Sequence, residues 1–209
     1  MSIGVLVLGA VGVLVLLGML QRVLDRMKLS DRAALVVIGC MFVGGLIPDI
    51  DLGMVRLNIG GAIIPAGVCV YLLATADENM ERMRGIIGAL LTGGAVYVLG
   101  RVMPSEPENI VLDPVYLCGL IGGAVGYALG RSRRGAFISA VLGVLLGDII
   151  NAVVLWAQGI SQKLTLGGAG VFDTTVIAGV LAVLLAELVG EAMERVARAN
   201  GKAPKGDGK

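Results

Sequence analysis

Long apolar runs alternate with short polar breaks along the whole chain, and the breaks cut it into seven apolar segments. These are Ser2–Leu20, Ala33–Ile47, Ile59–Ala76, Gly85–Met103, Val115–Gly130, Ala136–Gln158 and Val171–Gly190. A helix needs roughly 20 residues, within a range of about 17 to 25, to cross the hydrocarbon core of a bilayer. Most of the segments reach that length. Ala33–Ile47 is short and Val115–Gly130 is marginal. Ala33–Ile47 ends at Pro48 and is followed by DIDLGMVRLN, which reads as a short helix, a re-entrant excursion or an external loop.

The breaks carry the charge, and its sign alternates in a way that tests the segmentation. Cytoplasmic loops of membrane proteins carry an excess of Lys and Arg. Breaks one, three and five and the C-terminal end hold Arg22, Arg26, Lys28, Arg32, then Arg82, Arg84, then Arg131, Arg133, Arg134, then Arg195, Arg198, Lys202, Lys205 and Lys209. Breaks two, four and six hold only Arg56, Arg101 and Lys163. The sequence therefore predicts an all-α membrane protein of seven transmembrane helices, N-terminus outside and C-terminus cytoplasmic, placed in the cell (plasma) membrane. Residues 1–198 form a single polytopic membrane domain, and 199–209, which include GKAPKGDGK, form a flexible cytoplasmic tail. Glu191/Arg195 and Glu194/Arg198 are i,i+4 pairs that support a helix leaving the membrane. The opening MSIGVLVLGA has no basic n-region, so a cleaved signal peptide is not expected.

Composition agrees with the pattern: 56% hydrophobic residues and 16% charged, with a mean hydropathy of +0.90. Lipid is the expected solvent and the bilayer the expected partner. The net charge of +1 carries no implication for nucleic acid, and no basic stripe with interleaved aromatics is present. Cys40, Cys69 and Cys118 lack CxxC spacing and there is no histidine, so no metal site and no cofactor are expected. The cysteines read as small buried hydrophobes. Proton chemistry falls to carboxylates, Lys, Tyr or water.

The 33 glycines are spaced to a purpose. Gly119/Gly123, Gly122/Gly126 and Gly126/Gly130 are GxxxG pairs, and Ala178, Ala182, Ala186 and Gly190 repeat every four residues. Small residues at that spacing let helix backbones approach closely in lipid, within one chain or across a homo-oligomer. A weaker echo links GLIPDIDLGMVRLNIGGAIIP to GVLLGDIIN followed by LTLGGAGVFD: an acid ends one helix and GGA opens the next. This would make a parallel repeat of three plus one plus three spans.

The candidate chemistry lies in two carboxylates at membrane depth. Asp148 and Asn151 are three residues apart, share a helix face, and have Gly143 and Gly147 beside them to admit a neighbour. By helical rise Asp148 lies about 13 to 15 Å below the outer end of its segment and Asp173 only about 3 to 6 Å in. The two can share a pocket only if Leu166–Gly170 lets the last helix begin deep. The bland alternatives are that Asp173 caps its own helix and that Asp148 ties helices together. Asp49, Asp51, Arg56 and Asn58 lie on the same predicted outer side, either in turns and salt bridges or around a vestibule.

At NIGGAIIP (Asn58–Pro65), GDIIN (Gly147–Asn151), GGAGVFD (Gly167–Asp173) and GVLAVLLAE (Gly179–Glu187) the chain resembles the domain-of-unknown-function 1614 family of predicted bacterial and archaeal membrane proteins. The resemblance runs from the second segment to the last and implies family positions at Asn58, Gly60, Gly61, Pro65, Asp148, Asn151, Gly167, Gly168, Gly170, Phe172 and Asp173. The chain departs from that pattern at Leu146-Gly147, where the family has Gly-Ala, and at Thr174, where it has Gly. No activity comes with the resemblance. Three readings stay open. A small transporter or ion-translocating protein would use Asp148, Asn151, Asp173 and Asn58 on its ligand, with Gly60, Gly61, Pro65, Gly147, Gly167, Gly168 and Gly170 shaping the backbone. A non-catalytic scaffold or assembly protein would use the aspartates structurally. An intramembrane aspartyl protease would pair Asp148 with Asp173.

Overall fold

The structure is a computed structural model that describes residues 18, 21–23, 31–76, 78–102, 114–130 and 132–199. The expected first span, apart from Gly18, the loop around Glu106 and the tail from residue 200 lie outside the described residues. Residues 18 and 21–23 are helical, and six further helices follow among the described residues: α1 (Asp31–Leu46), α2 (Ile64–Ala74), α3 (Asn79–Val102), α4 (Pro114–Gly130), α5 (Arg133–Ala157) and α6 (Thr174–Ala199). A π-helical turn, Ile59–Ile63, leads into α2, and a 3-10 turn, Gly170–Phe172, leads towards α6.

Among the described residues, three helices are long and apolar enough to cross a membrane: α3, α5 and the Thr174–Met193 part of α6, with mean hydropathies of 1.6, 2.2 and 2.1. Leu35–Leu46, Ile59–Ala74 and Leu117–Leu129 are shorter apolar helices. Helices α3 and α5 start ahead of the apolar segments read from the sequence, at Asn79 rather than Gly85 and at Arg133 rather than Ala136. Hydropathy marks where a chain is apolar, whereas backbone bonding and caps mark where it is helical. Ser132 shows the difference, its hydroxyl accepting the Gly135 N–H at 3.3 Å to start α5 among basic residues.

Helix α3 shows what surrounds the molecule. Its buried face is Gly85, Gly88, Ala89, Thr92 and Gly93, while Met83, Ile86, Ile87, Leu90, Leu91 and Val98 are exposed. A helix in water turns its large apolar side chains inward. The opposite arrangement, small residues inside and large apolar ones outside, suits a helix whose outer solvent is lipid.

Several glycines lie where neighbouring helices touch, many of them against α5, the most enclosed of the three long helices. A Cβ on Gly88 would run into Ser139, one on Gly143 into Thr92, and one on Gly147 into Val96. The contacts advance by four residues on both helices, so α3 and α5 run parallel. Gly119 and Gly123 of α4 meet Leu181/Ala178 and Ala182/Leu185 of α6, again in parallel, while Gly122 and Gly126 meet Ala140 and Ala136 of α5 in the antiparallel sense. Helices α3, α4, α5 and α6, consecutive in the chain, thus alternate in direction. Val68, Leu72, Phe137, Val141, Val176 and Val180 pack a second core beside the small-residue seam. Of the cysteines, Cys69 and Cys118 are buried, but Cys40 is exposed on α1, so the expectation of three buried thiols is corrected.

The all-α expectation is also corrected at one place. DIDLGMVRLN is a hairpin, β1 (Ile50–Asp51) and β2 (Val55–Leu57), and β2 pairs in parallel with β3 (Leu164–Leu166) from the loop before α6. The register is Val55↔Leu164, Arg56↔Thr165 and Leu57↔Leu166. The turn forms because Gly53 takes a φ of +84° and its N–H is accepted by the Asp51 carboxylate at 2.9 Å. At the opposite end of the bundle, Arg82 donates to the Ala74 and Ala76 carbonyls that end α2, Ser132 donates to Glu81, and Arg133 faces Glu187 at 4.0 Å.

Candidate functional site

The chain leaves α5 and folds back along it. Gln158 and Ile160 donate to carbonyls of the last turn, Gly159 takes a φ of +79°, and the Trp156 indole N–H donates to the Gln162 carbonyl at 2.8 Å. Strand β3 then runs beside the C-terminal half of α5. Between them lies an open cleft of about 280 Å³, lined from α5 by Asp148, Asn151, Ala152 and Leu155, and from the returning segment by Gln162, Lys163, Leu164 and Thr165. Asp148 precedes the end of α5 by nine residues, about 13 Å at helical rise. A strand sharing its cleft must reach that depth.

Asp148 is half-buried and Asn151 exposed to the cleft. Among the described residues neither side chain has a hydrogen-bond or ion-pair partner. The glycines that sequence reading placed beside them explain how a neighbour fits, Gly143 and Gly147 lying against Thr92 and Val96 of α3.

Across the cleft, Lys163 Nζ lies 3.1 Å from Asp51 Oδ2, which also accepts the Arg56 Nε–H at 3.1 Å. These bonds, from Lys163 first, then the Gly53 N–H and Arg56, hold the Asp51 carboxyl well below its ordinary 3.8, at about 2. Asp51 therefore stays ionised at any ordinary pH.

Two further residues expected at the ligand do not line the cleft, and each has a local reason. Asn58 is buried, its Oδ1 accepting the Gly61 N–H at 2.9 Å to cap the π-helical turn and its Nδ2 donating to Asp49 at 2.8 Å. Asp173 caps α6, accepting the Thr175 N–H at 2.9 Å on Oδ1 and the Ala169 N–H at 3.3 Å on Oδ2. Asn58 follows β2 directly, whereas Asp173 lies seven residues beyond β3, after the 3-10 turn.

Between the caps the two glycine elements cross at contact distance. Gly61 lies against the carbonyls of Gly167 and Gly170, and Gly60 against the Met41 carbonyl and Gly45 backbone of α1. Gly167 has a φ of +71° and Gly170 a φ of +61°. Pro65 is buried in the first turn of α2, and Gly168 is exposed beside Thr165. Among the described residues no three Cys, Asp or Glu side chains gather to hold a metal ion.

Sequence reading missed Gln162, Lys163 and Thr165 as cleft residues. The signal that would have found them is the match of VRLNIGGA to LTLGGAG, which brings the two loops side by side once they are paired as strands.

The model of a family described as "Protein of unknown function (DUF1614)" matches residues 13–185, most of the chain. The chain belongs to this family. The elements that carried the resemblance are those just described: NIGGAIIP and GGAGVFD form the glycine crossing and its caps, and GDIIN supplies the α5 wall of the cleft. No curated protein and no solved structure matches the chain.

Proposed function

We propose that this protein is a small multipass transporter or ion-translocating protein of the cell membrane, with Asp148 as the group that takes up a proton or binds a cation. One observation carries the reading. An acid with no protein partner among the described residues lies roughly 13 Å inside the end of a helix apolar enough to cross a membrane, and it opens on a polar cleft. Insertion scales put the cost of an Asp at the centre of such a helix at about 2.5 to 3.5 kcal/mol. In lipid proteins that cost is usually met at a pathway for ions or solutes. Asn151, one turn on, adds a neutral oxygen or N–H donor to the same wall.

The fourteen-to-three split of basic residues supports seven spans with the C-terminus inside. The parallel pairing of β2 with β3, each followed by a capped helix entry, supports the repeat. Both Asp173 oxygens are taken up by backbone N–H groups, which favours a single working carboxylate over a protease pair.

The test is flux in proteoliposomes holding the full chain, followed with an internal pH dye and with cation gradients. Asp148→Asn is expected to abolish the flux and Asp173→Asn to retain it. Undiminished flux in Asp148→Asn overturns the proposal.

A further inference from the structure

The cleft is too large for a bare ion and carries opposite charges on its two walls. About 280 Å³ corresponds to roughly nine waters at about 30 Å³ each. The α5 wall presents the Asp148 carboxylate. The strand wall presents Lys163, whose ammonium has three donors and spends one on Asp51. Asp51 does not cancel that charge, because it is shared with Arg56: one carboxylate faces two cations. A lone cation would meet that net positive edge, and a lone anion would meet Asp148. A molecule carrying both charges would find a partner for each. Asn151, Gln162 and Thr165 supply neutral hydrogen-bonding groups, and Ala152, Leu155 and Leu164 give a short apolar lining between the charged ends.

The geometry points to a small zwitterion as the substrate class of this cleft: a solute with an ammonium group seated on Asp148, Asn151 beside it, and a carboxylate seated on Lys163, a few carbon atoms apart. This rests on reading the cleft as a transport site, and it makes Lys163 the residue that sets selectivity between a zwitterion and a simple amine.

The experiment uses the purified full chain in detergent. Its thermal unfolding midpoint is measured against rising concentrations of alanine, β-alanine and 4-aminobutanoate, and against ethylamine and propionate, which carry one charge each. At least one zwitterion should raise the midpoint saturably, at a concentration about tenfold or more below that needed by either single-charge compound, since each end makes a charge-assisted bond. Lys163→Gln, a change at a half-exposed side chain, should weaken the zwitterion about tenfold or more and strengthen ethylamine by removing a like charge, while Asp148→Asn should weaken both. Ethylamine acting as well as every zwitterion, or no saturable effect of any zwitterion, overturns the inference. If that result comes with flux that still depends on Asp148, the transport reading stands and only the substrate class falls.

Discussion

Asp51 and Lys163, 112 residues apart in the chain, are joined by a 3.1 Å ion pair that ties the loop after α1 to the loop after α5. The bond runs beside the parallel pairing of β2 with β3 and sets Lys163 on the edge of the Asp148 cleft. One surface contact thereby links the register of the sheet to the electrostatics of the candidate site.

That link should fail in acid and not before. The Asp51 carboxyl titrates at about 2 in the folded chain, below its ordinary 3.8, so its contribution to stability is fully present above about pH 4 and fades as the pH falls towards 2. The single tryptophan, Trp156, is bonded to the same loop at Gln162 and reports on it. Its emission should stay constant from neutral pH to about 4 and shift below that. Asp51→Asn should show the shifted emission already at neutral pH. An unchanged spectrum in that variant would mean the ion pair does not hold the loop.

The glycine crossing should be intolerant where neighbouring glycines are not. Gly61→Ala drives a Cβ into the Gly167 and Gly170 carbonyls, and Gly167→Ala adds a positive φ to a clash with Ala62. Overpacking of this kind costs about 1 to 3 kcal/mol, and the backbone strain at Gly167 should place that variant at the upper end. Gly67→Ala and Gly94→Ala, with nothing within 4 Å of the added Cβ, should be near neutral. Midpoints of thermal unfolding for the four variants decide it.

This crossing also marks where sequence reading stopped. The i,i+3 spacing of Asp148 and Asn151 put both on one helix face, and both line one cleft. The GxxxG pairs of α4 were visible as spacing, and their partners Ala178, Ala182, Ala136 and Ala140 now have names. The strands were not visible. VRL and LTL are too short to show a period of two, and what stabilises each is the other, over a hundred residues away. Lys163 was legible only as a lone basic residue in an outer loop, because its role comes from that long-range pairing. Asn58 and Asp173 looked like ligands because they are polar beside glycines, and a helix start needs the same residue types for capping.

The buried seam between α3 and α5 holds two hydroxyls, Thr92 and Ser139, with no hydrogen-bond partner among the described residues. Thr92→Val keeps the Cβ and Cγ2 that meet Gly143, and Ser139→Ala keeps the Cβ but not the Oγ that faces Gly88; each removes an unsatisfied donor, so Thr92→Val should be stabilising by about 1 kcal/mol and Ser139→Ala near neutral. A loss of stability on either change would show that the hydroxyl is bonded in the membrane.

The proposed topology is open to direct labelling. Single cysteines at Ser161 and Arg134, introduced after replacing the native Cys40, Cys69 and Cys118, should respond oppositely to an impermeant thiol reagent added outside intact cells. Ser161→Cys should label and Arg134→Cys should be protected. The reverse pattern would invert the orientation and place the cleft mouth inside the cell.

The two acids Asp148 and Asp173 should separate stability from function. Asp173 spends both oxygens on backbone N–H groups, so Asp173→Ala should cost about 0.5 to 2 kcal/mol as a lost cap and leave flux largely intact. Asp148 has no such bonds to lose among the described residues. Asp148→Leu removes a carboxyl from the midst of an apolar helix, and it should raise stability by up to about 2.5 to 3.5 kcal/mol, the cost that insertion scales assign to a central Asp, while abolishing flux. Unfolding midpoints and proteoliposome flux measured on the same preparations give both readouts. A variant at Asp148 that unfolds more easily than the parent would show that the acid holds helices together, which is the outcome a scaffold requires.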